Sequence, residues 1–116
     1  MANPTVSMTI EGGVAIFSLP TRIDVSNTRE LVLPVRQGIT SGHNKVVLDF
    51  EGTQAVDSTA LGALVQVYKT IKAEGGELML CGVSDAVRRV FSITRLDQVF
   101  TLCSDRADAL SRISKT

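Results

Sequence analysis

Polar and apolar residues alternate along Thr5-Val6-Ser7-Met8-Thr9-Ile10, and apolar positions return at Val14, Ile16 and Leu19 beyond Glu11-Gly12-Gly13. A period of two on either side of a glycine pair predicts a β-hairpin over 5–10 and 14–19 with one buried face. Pro20 ends the second strand, since proline cannot donate to a ladder. The next apolar pattern has a helical period: Leu31, Val35 and Ile39 share a face after Ser26-Asn27, and Asn27-x-x-Glu30 has capping-box spacing. A helix is expected from there to about 38, kinked or tightened at Pro34, which lies too deep to be a first-turn proline.

Ser41-Gly42-His43-Asn44 is turn chemistry, and it leads into Lys45-Val46-Val47-Leu48-Asp49-Phe50. This nearly continuous apolar run reads as a strand buried on both faces. A second helix is predicted over 58–73, with Leu61, Leu64, Val65, Tyr68 and Ile71 on one stripe and Lys69 and Lys72 on the solvated side; Gly75-Gly76 closes it. A buried strand over 77–81, a helix carrying Val87, Val90 and Phe91 with Arg88 and Arg89 outside, a strand over 99–102 and a helix over 105–113 complete the chain. The order ββαβαβαβα implies an α/β fold. Its mixed, mainly parallel sheet opens with a hairpin, because alternating strands and helices pair through right-handed crossovers.

Composition narrows the function classes. The 116 residues suit one domain spanning 1–116. Twelve basic residues balance twelve acidic ones, and the longest basic run is Arg88-Arg89, so no footprint for nucleic acid is present. No apolar run approaches the roughly 20 residues of a membrane span, and Met1-Ala2-Asn3-Pro4 is unlike a signal peptide. A soluble cytoplasmic protein is expected, with Cys81 and Cys103 as buried free thiols.

Candidate chemistry concentrates where the central strand hands over to the second helix, at Asp57-Ser58-Thr59. Serine catalysis needs a base, and the single histidine, His43, precedes the strand; six or more extended residues at about 3.3 Å each put it roughly 20 Å from Ser58. There is no Gly-x-Ser-x-Gly, no metal-ligand spacing and no phosphate loop, so neither enzyme activity, metal nor cofactor is expected. All three residue types are preferred N-caps, and the cluster is readable as a cap alone. Against that reading, one cap suffices, and a serine hydroxyl presented there is a good phosphoacceptor, since a helix N-terminus favours added negative charge and the loop ends of open α/β sheets bind partners.

The segments Val46-Val47-Leu48-Asp49-Phe50, Val56-Asp57-Ser58-Thr59-Ala60-Leu61-Gly62-Ala63-Leu64, Tyr68-Lys69, Gly75-Gly76-Glu77-Leu78 and Val87-x-x-Val90-Phe91-x-Ile93-Thr94-x-Leu96 resemble, in order and spacing, STAS domains of the bacterial anti-sigma factor antagonists. The resemblance implies a STAS fold with helices mainly on one face of the sheet. It also implies a binding module switched by phosphate. Unphosphorylated, it would bind an anti-sigma factor that is also a serine kinase of the histidine-kinase-like ATPase superfamily, and so free a sigma factor. The kinase would modify Ser58, and a PP2C-type phosphatase would reverse it.

On that resemblance Asp24, Asp57 and Thr59 surround the phosphosite, and Ile23, Asp24, Ser26, Asp57, Ser58, Thr59, Ala60 and Leu61 form the partner-binding surface. Ala60 stands where the family usually has glycine. The alternative carried with this reading is a non-phosphorylated STAS scaffold or regulatory subunit of a transport or signalling assembly.

Overall fold

The computed structural model describes residues 6–113; Thr5, the expected start of the first strand, lies outside them. The elements are β1 (Ser7–Glu11), β2 (Val14–Ser18), β3 (Arg22–Ile23), α1 (Thr28–Thr40), β4 (Lys45–Asp49), β5 (Ala55–Val56), α2 (Ser58–Ala73), β6 (Glu77–Cys81), α3 (Asp85–Ile93), a 3-10 turn (Leu96–Gln98), β7 (Thr101–Cys103) and α4 (Arg106–Arg112). Five strands form the sheet in the order β1-β2-β4-β6-β7, antiparallel only between β1 and β2.

Helices α1, α2 and α3 cover one face. Their Leu31, Val35, Leu64, Ile71 and Phe91 pack with Phe17, Leu48, Phe50 and Leu80 in the main core. Each such fully buried side chain contributes about 1.5–3 kcal/mol. Among the described residues α4 is the helix on the other face, where Ala109 and Ile113 meet Ile16, Val47, Cys81 and Cys103. The near-continuous apolar sequence of β4 is thereby explained, because alternate residues serve two cores.

Several expectations need correction. The hairpin does not bury a face of both strands: β2 is buried from Val14 to Phe17, whereas every residue of β1 is exposed. Among the described residues β1 is the edge strand of the sheet, and no helix covers its side chains. Helix α1 runs unbroken through Pro34 and two residues beyond Gly38. Asn27 occupies the N-cap position of α1 without capping it; its side chain turns back, Oδ1 accepting from the Asp24 N–H at 2.9 Å and Nδ2 donating to the Arg22 carbonyl at 2.7 Å.

The last strand begins at Thr101, not Val99. A left-handed Arg95 (φ 63°) and the 3-10 turn drive Phe100 inward against Tyr68 and Phe91, with ring centroids 5.8 Å away in both cases. The short parallel ladder of β3 with β5 was legible only as loop.

Other expectations hold. Gly75 (φ +70°) lets the Gly75 and Gly76 N–H groups fold back onto the Lys72 and Ile71 carbonyls, at 3.0 and 2.9 Å, which is a Schellman closure of α2. Both cysteines are free and buried. Arg88, Arg89, Lys69 and Lys72 are exposed.

Candidate functional site

The β3–β5 ladder builds the site. Arg22 pairs with Ala55 and Ile23 with Val56, and the buried Thr53 hydroxyl donates to the Pro20 carbonyl at 2.8 Å, so the segment before α1 is laid beside the start of α2. The Asp57 N–H continues the ladder to the Ile23 carbonyl at 3.2 Å. Residues more than thirty positions apart in the chain are thus joined at one surface.

Asp57 is the N-cap of α2, its Oδ1 accepting from the Ala60 N–H at 2.8 Å. Its second oxygen, Oδ2, accepts from the Val25 N–H at 3.3 Å and ties the 24–26 loop to the helix. Ser58 follows as the first helical residue, and both Ser58 and Thr59 are exposed. Among the described residues no protein group engages the Ser58 hydroxyl or the N–H groups of Ser58 and Thr59. An open hydroxyl therefore sits at the positive end of a sixteen-residue helix dipole.

Asp24 is half-buried at the turn of the loop. The Ser26 hydroxyl and then the Ser26 N–H donate to its Oδ1, and these bonds hold its carboxyl below the usual carboxylate range. It is spent on shaping its own loop, with Ser26 exposed beside it. Ile23 and Ala60 are 1% and 0% exposed. They support the surface from beneath and present no side chain to it, while Leu61 is half-buried at its margin. Ala60 occupies the first turn of α2 within the main core, where a methyl group is accommodated. His43 lies at the opposite end of β4, before Lys45. No group of three His, Cys, Asp or Glu among the described residues could hold a metal ion.

A second polar cluster was not singled out by sequence reasoning. Asp49, 6% exposed at the end of β4, receives Arg106 of α4 through Nε at 3.2 Å and Nη2 at 2.9 Å. The same guanidinium donates to the Ser18 hydroxyl at 3.0 Å, and the other Asp49 oxygen accepts from the Glu51 N–H at 3.0 Å. Gly82 (φ +67°) crosses close by, where a Cβ would stand 3.2 Å from Asp49 Oδ1. The only early signal was a carboxylate inside an apolar strand, which implies a cationic partner but does not say which of twelve.

A profile of the STAS domain matches residues 5–109. The anti-sigma-B factor antagonist of Staphylococcus aureus is 35% identical over 87 residues, which are 75% of this chain and 72% of that protein. The anti-sigma F factor antagonist of Paenibacillus polymyxa is 25% identical over 112 residues, 96% of each chain. Matched stretches span between 66% and 96% of such relatives' own lengths.

Among solved structures, an anti-sigma-factor antagonist (STAS) domain protein from Planctomyces limnophilus superposes with a TM-score of 0.84 at 25% identity, over 97% of this chain and all of that one. No helix among the described residues is long and apolar enough to cross a membrane. With the family profile covering nearly its whole length, the chain belongs to the STAS domain family, among the anti-sigma factor antagonists.

Proposed function

We propose that the protein is a partner-switching antagonist controlled by phosphate on Ser58. In the unphosphorylated state its surface around Val25, Ser26, Ser58 and Thr59 binds an anti-sigma factor that is also an ATP-dependent serine kinase, and a sigma factor is released. The kinase transfers the γ-phosphoryl group of ATP to Ser58 Oγ, which loses its proton, and ADP leaves. A PP2C-type phosphatase restores the hydroxyl. The protein itself catalyses nothing in this cycle; it is substrate and ligand.

The observation that carries this reading is the exposed, unengaged Ser58 hydroxyl at the start of α2, next to the Asp57 carboxylate that holds the 24–26 loop. A phosphate would bring about −1.5 to −2 charges to this point. The helix dipole and the open N–H groups of Ser58 and Thr59 accommodate that charge, so the fold survives. A partner that docks against neutral Ser58 and the Asp57 carboxylate meets instead a concentrated anionic surface. Binding is lost by repulsion at the interface, without unfolding.

The alternative of a phosphate-independent scaffold predicts the same fold and no need for an open serine at this place. Incubation with ATP, magnesium and the candidate kinase, followed by mass spectrometry, separates the two. Phosphate on Ser58 that disappears in Ser58→Ala supports partner switching; stable binding to the kinase with no phosphate on Ser58 supports the scaffold.

A further inference from the structure

We propose that β1 is a dimerisation seam, across which two copies of this chain pair antiparallel about a twofold axis at Thr9. The first observation is the bare edge. Met8 and Ile10 are 48% and 43% exposed, and among the described residues no strand lies on the outer side of β1. Natural edge strands are guarded by lysine, proline, a bulge or extreme shortness. Within β1 there is no lysine, proline or bulge, and its one charge, Glu11, stands at the strand end: Ser-Met-Thr-Ile-Glu pairs with β2 in unbroken register from Ser7 opposite Ser18 to Glu11 opposite Val14.

The turn then decides which backbone groups face outward. Gly12 and Gly13 have φ of 57° and 81°, the two-residue type I′ turn, so Glu11 and Val14 form the first hydrogen-bonded pair of the hairpin. Alternation along an antiparallel ladder directs the backbone groups of Glu11, Thr9 and Ser7 toward β2 and those of Met8 and Ile10 to the open edge. The free donors and acceptors therefore belong to the same two residues whose apolar side chains are exposed.

This edge is complementary to itself. Pairing about Thr9 sets Met8 opposite Ile10 of the partner subunit and Ile10 opposite the partner's Met8, each as a hydrogen-bonded pair. Thr9 meets Thr9 of the partner subunit, and Glu11 meets the partner's Ser7, so no like charges face one another. Met8 and Ile10 lie opposite Phe17 and Ala15, on the side of the sheet carrying α1, α2 and α3. Leu33 of α1 is 51% exposed and borders, with Pro34 and Val6, a groove of about 370 Å³ on that side. The seam would join two five-stranded sheets into one and set each exposed Met8 side chain against Ile10 of the partner subunit. The twofold match of apolar positions and charges favours a second copy over a foreign strand.

Sedimentation velocity and light scattering on the full chain, across low to high micromolar concentration, test the seam. A dimer mass is expected. Met8→Lys/Ile10→Lys, which sets lysine against lysine, should weaken association by at least an order of magnitude with unchanged circular dichroism. Met8→Glu/Ile10→Lys should retain it, because Glu and Lys then face each other only in the register centred on Thr9. Thr9→Cys should give a covalent dimer on mild oxidation, since facing residues of a non-hydrogen-bonded pair stand about 4.5 Å apart between Cα atoms. A wild-type chain monomeric throughout, including one that captures another protein's strand instead, overturns the proposal. So does a dimer indifferent to Met8→Lys/Ile10→Lys or without the Thr9→Cys cross-link.

Discussion

Arg106 reaches from the first turn of α4 to Asp49 at the end of the central strand, with Nε and Nη2 3.2 and 2.9 Å from a single carboxylate oxygen. This pair links α4 to β4, and through Ser18 to β2. Arg106 is held in its charged form first by the hydrogen bond to Asp49. Removing the guanidinium leaves a nearly buried carboxylate that keeps the Glu51 N–H but has lost its cation. Arg106→Ala should cost about 1–3 kcal/mol, below the full value for a buried pair because the arginine side chain is 38% exposed. Urea denaturation measures the loss, and Asp49→Asn/Arg106→Ala should recover part of it in a double-mutant cycle.

Asp57 divides its two oxygens between α2 and the 24–26 loop, through Ala60 and Val25. Asp57→Ala removes an N-cap and should lower stability by about 1 kcal/mol. It should also free the Val25 amide, whose hydrogen exchange would rise to the rate of an open loop. Asp57→Ser keeps an N-cap oxygen but lacks the second one, so it should rescue most of the stability and leave Val25 unprotected. Equal protection of Val25 in all three proteins would show that the loop is held by other contacts.

The thiol of Cys81 is pushed up to about 12, first by burial and next by the Asp49 charge. In the unfolded chain a cysteine ionises near pH 8.5–9. Between those values the unfolded chain has lost the proton and the folded one still holds it, so fewer protons are bound in the unfolded state and stability falls as pH rises. The expected slope is about −1.4 kcal/mol per pH unit over that window. Cys81→Ala should flatten it in urea titrations from pH 8 upward. Neither cysteine should react with a thiol reagent in the native state at neutral pH, since Cys103 is also buried and its thiol is shifted upward.

How much of this was legible depended on how local the cause was. Val46 to Leu48 announced a strand buried on both faces, and Gly75-Gly76 announced the end of α2, because those signals lie in consecutive residues. Ser58 stood out for the same reason, at the junction of a strand-like run and a helical one. Contacts between distant segments were not legible. The two-residue ladder of Ile23 with Val56 has no periodicity to detect, yet it decides that Val25 meets Asp57. The alternation in β1 resembles that of a half-buried strand and says nothing of whether a helix reaches over it. Arg106 could not be matched to Asp49 without the fold, since 57 residues separate them.

Two glycines separate architecture from recognition. Gly76 enters β6 under the Asn44 carbonyl, and a Cβ there would stand 2.0 Å from that oxygen and 2.9 Å from the Ile71 methyl. The obstacle is backbone, so the strand must shift, and Gly76→Ala should cost about 2–4 kcal/mol. Gly62 is the opposite case. It is exposed in α2, one turn beyond Ser58, and a Cβ there would meet nothing within 4 Å. Glycine inside a helix is about 0.5–1 kcal/mol less favourable than alanine. No contact among the described residues requires it, so Gly62→Ala should raise the unfolding free energy by that amount, read as a higher urea midpoint at unchanged slope. Ser58 and Gly62 share a helix face, and a kinase reaching the hydroxyl would pass over the bare backbone. On the proposed partner-switching cycle, Gly62→Ala should therefore slow phosphorylation of Ser58 even as it stabilises the protein. A more stable variant phosphorylated at the wild-type rate would show that the partner approaches Ser58 from the side of the 24–26 loop instead.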